Sequence, residues 1–434
     1  MKKKTLMALF AIAAFVLSLP SCKSDYFDQE RYEELVTSTF PVADIDSLHD
    51  WNLLKNVTAI VDLSSASAME YVVNIYDGVP TDSTTRKITT GAVTGSGVLK
   101  FNLPKDSKLN RLYVTAVRNR QCIVDGFFPI NNESLYIQPN LDTPTTSVLS
   151  PDVPAVEYTY CFEETFPEGG DFDFNDCVMG VSISKSPKAL NGMGNYMDIT
   201  VRLRAVGGGK NIAASMRLVN QTAAQVEEKF TIVRKGWAFF QYAVSYLEDP
   251  LEQLKPTQIG DLRIDLFNDA HYAINGGRMD ETGTMVPHMA VNTIVESKNP
   301  EWEVAEPMSS TYRIEFKDEG EFNDFTFTDL DLFIITAYNS AYYETHLPQF
   351  FGMRIIKDYP TKINYVPWAL LIPDVFQYPT EGTQICKFSS NLNYYDGAYQ
   401  MGLYSFGAWA RNRNNSTAWS WYHYPQSSLV YPAN

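Results

Sequence analysis

The residues with the clearest chemical potential lie in one acidic segment of the chain, Asp171-Phe172-Asp173-Phe174-Asn175-Asp176. Oxygen-bearing side chains stand there at alternate positions, and two glutamates precede them. Calcium takes about six to eight oxygen ligands, and short Asp and Asn side chains can converge within one loop. The segment therefore predicts a calcium site. Its candidate ligands are Glu163, Glu164, Asp171, Asp173, Asn175 and Asp176.

This segment does not follow the pattern of an EF-hand loop, whose sixth residue is Gly and whose twelfth is Glu. Counted from Asp171, those positions hold Asp176 and Ser182. Further ligands must come from elsewhere, for example from backbone carbonyls. A second interpretation stays open, in which the carboxylates are solvent-facing turn residues while Phe172 and Phe174 pack inward.

Glu344 and His346 form a second pair with chemical potential, because residues two apart on a strand share one face. A carboxylate beside an imidazole can serve acid–base catalysis. It can also be hydrogen-bonded polar support within a β core, and this is the interpretation that we favour. The chain has no Gly-x-Ser-x-Gly elbow and no His-Glu-x-x-His motif, so we predict no catalytic residues and no enzymatic activity.

Aromatic residues crowd residues 394–424, among them Trp409, Trp421 and Tyr424. Rings with an apolar body and a polar tip can stack on sugars, so a glycan-binding surface is one interpretation. Closure of a β core is the other, and we favour it.

The first residues of the chain predict its compartment. Lys2–Lys4 and the apolar run Leu6–Leu19 have the layout of a signal peptide over residues 1–21, and the run is too short for a transmembrane helix. Leu19-Pro20-Ser21-Cys22 resembles a bacterial lipobox, in which the cysteine carries acyl chains such as palmitate. More than one chain gives stable anchoring. We therefore expect lipidation at Cys22 and attachment to the outer membrane, at the cell surface.

The remaining cysteines are Cys122, Cys161, Cys177 and Cys386, which allow several disulfide pairings that the sequence does not decide. No Cys or His spacing typical of zinc occurs.

The composition of the chain excludes one class of partner. Of its 434 residues 45% are hydrophobic, which favours a globular protein, and its net charge is −16. Removal of residues 1–21, which hold three lysines and no acid, makes the net charge −19. Nucleic-acid binding depends on Lys and Arg neutralising phosphates, so we expect no nucleic-acid partner.

The patterns along the chain predict a mainly β protein. A tether is expected over residues 22–50, a small β-sandwich over 51–137, a Pro-, Ser- and Thr-rich linker over 138–156, and a larger, sandwich-like β domain over 157–434. Clean alternation over Met197–Val206 predicts a half-buried strand. Gly207–Gly209 then suggests a hairpin tip, and Gln221–Phe230 is the best candidate for a helix.

Three ordered motifs of this larger domain resemble one family. Phe162-Glu163-Glu164 with Gly170–Asp176, then Glu344–Pro348, and then Pro367–Leu370 with Tyr378–Glu381 are similar to the LruC domain of bacterial surface lipoproteins. No activity is assigned to that family, and its acidic core is similar to calcium-binding motifs of other secreted β domains. Tyr343 stands where the family usually has Arg.

Together these features predict a lipid-anchored surface protein with one structural calcium ion, acting as a binding or adhesion module for a glycan or protein ligand. A glycan-binding protein and a scaffold within a surface complex are the alternatives, and a hydrolase is disfavoured. A hydrolase would need carboxylates converging in a cleft.

Overall fold

The structure is a computed structural model that describes residues 39–66, 68–139, 145–146, 152–166, 168–222, 231–233, 261–275, 290–298, 300–338, 341–353, 366–388, 393–395, 398–400 and 405–432. The predicted signal peptide, Cys22 and the first part of the predicted tether lie outside these residues. The described chain is mainly β, which confirms the predicted fold class. Its helices are short, and none of those described has the length and apolar character to cross a membrane.

The N-terminal unit is built from two packed sheets. Alternate residues of β1 (Val57, Ala59 and Val61) are fully buried, and they share a core with Val73 and Val114 of the facing sheet. Period-two alternation thus produces a sandwich. One sheet has the order β4-β1-β7, with β1 and β7 parallel, and the other has the order β3-β2-β5-β6-β8. The strands are β1 (Leu54–Asp62), β2 (Glu70–Tyr76), β3 (Lys87–Thr94), β4 (Ser96–Pro104), β5 (Arg111–Arg118), β6 (Gln121–Pro129), β7 (Ser134–Ile137) and β8 (Thr145–Thr146).

The C-terminal unit also packs sheet on sheet. One sheet has the order β13-β15-β11-β10-β9-β18 and the other β14-β12-β16-β17, while β19 and β20 pair with each other. Ile199 and Val201 of the first sheet share a core with Met216 and Leu332 of the second. The strands are β9 (Glu157–Phe162), β10 (Cys177–Ser186), β11 (Asn195–Ala205), β12 (Ile212–Thr222), β13 (Thr231–Val233), β14 (Asp261–Phe267), β15 (Met308–Phe316), β16 (Leu330–Tyr338), β17 (Ala341–Thr345), β18 (Ala369–Ile372), β19 (Asn393–Tyr395) and β20 (Ala398–Gln400).

Short helices lie between the strands of the C-terminal unit. The α-helices are α1 (Lys188–Asn191), α2 (Ala270–Asn275), α3 (Pro300–Glu303), α4 (Glu319–Asp324) and α5 (Phe406–Arg411), and the 3-10 helices are Phe327–Asp329, Pro348–Met353, Ile385–Lys387 and Ala418–His423.

A second core, the aromatic core, lies on the outer face of β9 and β10. Trp368, Trp409 and Trp421 are its largest members. Phe40 and Val42 join it, with the ring of Phe40 4.9 Å from that of Phe172. Residues 39–50 are therefore packed chain and not the predicted tether, because two of their apolar side chains are drawn from water into this core.

Two local predictions are corrected by the sheet topology. Gly207–Gly209 does not form a hairpin tip, because β11 and β12 belong to different sheets and the glycines connect them. Gln221 and Thr222 end strand β12 and do not begin a helix, since Thr222 pairs with Asp261 of β14. Residues 223–230 lie outside the described residues. The alternation over Met197–Val206 does form a strand, β11.

The described parts of the predicted linker, residues 138–156, are paired with the N-terminal unit. β8 pairs with the start of β6, and Val153 is buried. The N–H of Lys87 donates to Pro154 at 2.8 Å, and that of Val156 donates back to Lys87 at 3.0 Å. The edge strands of a sheet offer free backbone groups, and here the connecting chain satisfies them.

The two units are in direct contact through α4. The side-chain amide of Asn323 accepts the N–H of Ala92 at 3.0 Å and donates to its carbonyl at 2.7 Å, as a neighbouring strand would. Lys100 of β4 also pairs with Asp324 at 2.7 Å.

Candidate metal centre

The acidic segment is the long connection between β9 and β10. Because Phe162 lies opposite Cys177 in the antiparallel register, Glu163 and Asp176 leave the sheet side by side. The N–H of Glu164 donates to the Asp176 carboxylate at 2.7 Å and closes the base of the loop. The sheet thus fixes both ends of the connection.

Within the loop, Phe172 and Phe174 point into the aromatic core and are fully buried. Both adopt left-handed backbone conformations, with φ of 55° and 58°, which non-glycine residues take only at a cost. These turns direct the two N–H groups at Glu163, at 3.3 Å from Phe172 and 2.6 Å from Phe174. Burial of the rings and binding of the Glu163 carboxylate both offset that cost.

Three of the predicted ligands converge. Glu163, Asp171 and Asp173 each place a carboxylate oxygen so that all three atoms lie within 4.8 Å of one another. Glu163 and Asp173 are fully buried, and Asp171 is exposed. The sequence left two interpretations open, one with clustered carboxylates and one with phenylalanines packed inward. In the structure both features occur together.

Asn175 directs an unpaired oxygen into the same region. Its amide nitrogen donates to Pro379 at 3.1 Å, whereas its buried Oδ1 accepts no hydrogen bond from the described residues. A Cβ built on Gly207 would stand 2.4 Å from this Oδ1 and 3.0 Å from Oε2 of Glu381. The two oxygens therefore flank one point in the loop cluster.

Glu381 is a site residue that the sequence reasoning did not assign. It follows Pro379 in the C-terminal block, and its hydrogen bond from Thr293 (3.0 Å) orients it. The next residue, Gly382, donates its N–H to Asp173 at 2.8 Å. The only sign of it in the sequence was its place in a motif that is similar to the LruC domain. Spacing gave no further sign, because Glu381 lies far from the acidic segment along the chain.

Glu164 and Asp176, also predicted as ligands, lie outside the group of three carboxylates and accept backbone N–H groups. Glu164 accepts the N–H groups of Gly209 and Lys210, both at 2.9 Å, and Asp176 accepts that of Glu164. Gly208, at φ 64°, leaves room for this carboxylate. Their role in the described geometry is to hold the loop.

Burial and neighbouring carboxylates raise the pKa values of Glu163 and Asp173. Burial and the carboxylates of Asp176, Asp173 and Asp171 raise the pKa of Glu163 well above its usual value. Burial, followed by Asp171 and Glu381, raises the pKa of Asp173 to about 8. The charged groups that raise these two pKa values most are all carboxylates. Such a cluster needs protons or a cation to be neutral, and a hard divalent cation suits its all-oxygen donor set.

The Glu344–His346 pair belongs to a separate buried charge network. His346 contacts Glu344 through Nε2 at 3.0 Å and Asp331 through Nδ1 at 2.9 Å, and Arg217 pairs with Asp331. Burial lowers the pKa of His346, but the two carboxylates outweigh it and the net pKa is raised. Arg263 lies 3.9 Å from Glu344. The carboxylates of this network thus face histidine and arginine side chains inside the sheet. This arrangement agrees with the interpretation of Glu344 and His346 as hydrogen-bonded polar support within the β core.

The described C-terminal aromatics mainly close the aromatic core. Phe406, Trp409, Trp421 and Tyr422 are buried, whereas Tyr424 is 37% exposed. Tyr404 and the side chains of Tyr394, Tyr395 and Tyr399, which belong to the same aromatic region, lie outside the described part of the chain.

All four later cysteines are free thiols. Cys122, Cys161 and Cys177 are buried, and Cys386 is half-buried. Cys161 and Cys177 lie on adjacent strands but on opposite faces, one in each core of the C-terminal unit. The metal-ligating group of the described residues contains carboxylates and neither Cys nor His.

Comparison with known proteins gives one family and several distant structures. The profile of the family described as Domain of unknown function (DUF4842) matches residues 195–422. A Bacteroides ovatus protein described as a lipoprotein is 11% identical, with a TM-score of 0.40 over 85% of this chain and 100% of that one. The major pilin SpaD of Corynebacterium diphtheriae is 11% identical, with a TM-score of 0.17 over 70% of this chain and 65% of that one. No curated protein matches the chain.

Proposed function

The chain belongs to the family of the Domain of unknown function (DUF4842), which brings no activity with it, and from the site we propose a lipid-anchored surface-binding protein stabilised by one calcium ion. The observation that carries the calcium proposal is the convergence of the oxygens of Glu163, Asp171 and Asp173 within 4.8 Å. Glu163 and Asp173 are buried, and neither forms an ion pair with a cation among the described residues. A bound cation stabilises carboxylates in such an arrangement.

The donor set supports calcium in particular. Glu163, Asp171 and Asp173 supply the carboxylates of the group. The unpaired Oδ1 of Asn175 and Oε2 of Glu381 flank Gly207, and the Glu381 carboxylate acts on the pKa of Asp173. Together with water, such oxygens meet the coordination of calcium, which accepts flexible geometry. Glu164 and Asp176 would orient the loop from behind.

The ion's role would be structural. The centre joins the connection between β9 and β10 to the turn at Pro379–Gly382, and the N–H of Ile385 donates to Phe172 at 2.8 Å. Repulsion between the carboxylates opposes the contact between the β9–β10 connection and this turn. A divalent cation bound between the carboxylates would replace that repulsion with attraction. Its binding free energy would add to that of folding.

The anchor and the surface location rest on the sequence. Leu19–Cys22 resembles a lipobox, and the motifs similar to the LruC domain occur in bacterial surface lipoproteins. On this basis we assign lipidation to Cys22, attachment to the outer membrane, and a binding or adhesion role without catalysis. A scaffold within a surface complex is the rival role. The buried, charge-balanced state of Glu344 and His346 favours neither a hydrolase nor another acid–base enzyme.

Thermal melting of the full chain in detergent, with calcium and with EDTA, tests the calcium proposal. We expect calcium to raise the melting temperature by about 5 °C or more, the equivalent of about 1–3 kcal/mol. In Asp173→Asn the shift should disappear, because one buried ligand charge is lost. Glu296→Gln, which removes an exposed carboxylate outside the centre, is the control and should keep the shift. Identical melting of the unaltered chain in both buffers would overturn the proposal.

A further inference from the structure

A cavity of about 630 Å³ lies at the junction of the two β units, and we call it the junction cleft. The N-terminal unit contributes the loop between β4 and β5, residues 103–109. The C-terminal unit contributes Pro373–Val375 after β18 and the end of the helix Ala418–His423. The volume is in the usual range of small-ligand sites, about 300–1,000 Å³.

Apolar side chains remain exposed within the cleft. Leu109 is 37% exposed, Val375 43% and Tyr424 37%, and all three line it. They come from both units, so the cleft presents an apolar strip across the junction. Tyr424 thus places one exposed aromatic ring in the cleft, and such a ring can stack on a sugar.

Charges of both signs surround this strip. Asp77 and Asp374 supply carboxylates, and Arg86 and Lys108 supply cations. Lys108 forms no ion pair with any described residue, so its ammonium is available to a ligand. Mixed signs disfavour a highly charged ligand of either sign and suit a neutral one with many hydroxyl groups, because hydroxyls donate to carboxylates and accept from ammonium groups.

The walls of the cleft are held in place by a contact between the units. Tyr422 donates to Asp106 at 2.7 Å, and Nε2 of His423 lies 3.0 Å from the same carboxylate. Nδ1 of His423 lies 3.5 Å from Asp374. One histidine therefore ties a loop of each unit, and a preformed site loses less entropy on binding.

We propose that the junction cleft binds a neutral oligosaccharide. The C–H faces of the sugar rings would contact Tyr424, Leu109 and Val375, and the hydroxyl groups would bond to Asp374 and Lys108. The inference rests on the proposed binding role and supplies its ligand class. It does not depend on calcium, because no lining residue of the cleft belongs to the carboxylate centre.

Calorimetric titration of the full chain in detergent tests this inference. The probes are maltohexaose, cellohexaose, xylohexaose and mannohexaose, with polygalacturonate and an unstructured neutral peptide for comparison. At least one neutral oligosaccharide should bind, and Tyr424→Ala should weaken that binding about tenfold or more through loss of the ring contact. Val375→Asp, a second exposed position, should weaken it as well. Tyr136→Ala removes a 54% exposed ring outside the cleft and should leave the affinity unchanged.

The proposal is overturned if none of the four oligosaccharides binds, if only polygalacturonate or the peptide binds, or if both cleft variants bind like the unaltered chain. Repeating the titration in EDTA separates the two proposals. If a sugar binds but calcium does not shift the melting temperature, only the calcium centre is contradicted. If calcium shifts the melting temperature but no sugar binds, only the proposal for the junction cleft is contradicted.

Discussion

Single residues hold the acidic loop in shape because their carboxylates accept backbone N–H groups. Glu164 accepts from Gly209 and Lys210, and Asp173 accepts from Asn175 at 3.1 Å and from Gly382 at 2.8 Å. Of the six ligands that the sequence predicted, Glu163, Asp171 and Asp173 gather in one group. The sequence did not show that the Glu164 carboxylate would accept backbone N–H groups, because Gly209 and Lys210, which donate them, lie far from Glu164 along the chain.

Gly208 gives a test of this arrangement. Its φ is 64°, and an added Cβ would stand 2.4 Å from Cδ of Glu164. Gly208→Ala should lower the free energy of unfolding by about 2 kcal/mol or more, since it combines backbone strain with displacement of a bound carboxylate. Urea denaturation measures the loss.

Gly209→Ala is the matched control for that substitution, because a Cβ there meets nothing within 4 Å. It should change stability by less than about 1 kcal/mol. Equal losses in the two variants would show that Glu164 is not held as described.

At the scale of elements, hydrophobic alternation was a sound guide to strands and a poor one to their partners. It identified β11, since Met197, Ile199 and Val201 are fully buried on one face. It could not show that β11 and β12 enter different sheets, because alternation reports a buried face and carries no information on which sheet covers it. For the same reason, alternation did not predict that α4 contacts β3.

Lys185 of β10 gives a pH test of the packing between β10 and α4. It is buried, and its ammonium donates to the carbonyl of Asn323 at 3.3 Å. Burial lowers its pKa to about 7, and Asp329 and Asp324 offset only part of that effect. Between pH 7 and 10.5 the unfolded chain therefore binds more protons than the folded one. The free energy of unfolding should rise with pH across this window, by up to about 1.4 kcal/mol per pH unit.

Lys185→Met should remove this contribution and give a flatter pH dependence, measured by urea denaturation between about pH 7 and 10. Lys298→Met, at an exposed lysine, should keep the original slope. The same slope in both variants would show that burial does not lower the pKa of Lys185 in the folded chain.

At the scale of the whole molecule, the structure joins parts that the sequence separates. Residues 39–50 pack in the aromatic core, and residues 145–146 and 154–156 pair with the two edges of one N-terminal sheet. The sequence predicted a tether and a Pro-, Ser- and Thr-rich linker there, but a few apolar side chains and free sheet edges order their described parts. The junction cleft was equally out of reach of the sequence, since its walls come from distant segments. The carboxylate centre was accessible because most of its members are neighbours in the chain.

The most direct test of the central claim is the calcium stoichiometry of the full chain, measured by isothermal titration calorimetry after EDTA has been removed. We expect one ion per chain, loss of that binding in the double variant Asp171→Asn/Asp173→Asn, and retention in Glu296→Gln. Absence of calcium binding to the unaltered chain, or equal binding by the double variant, would contradict the proposed calcium centre.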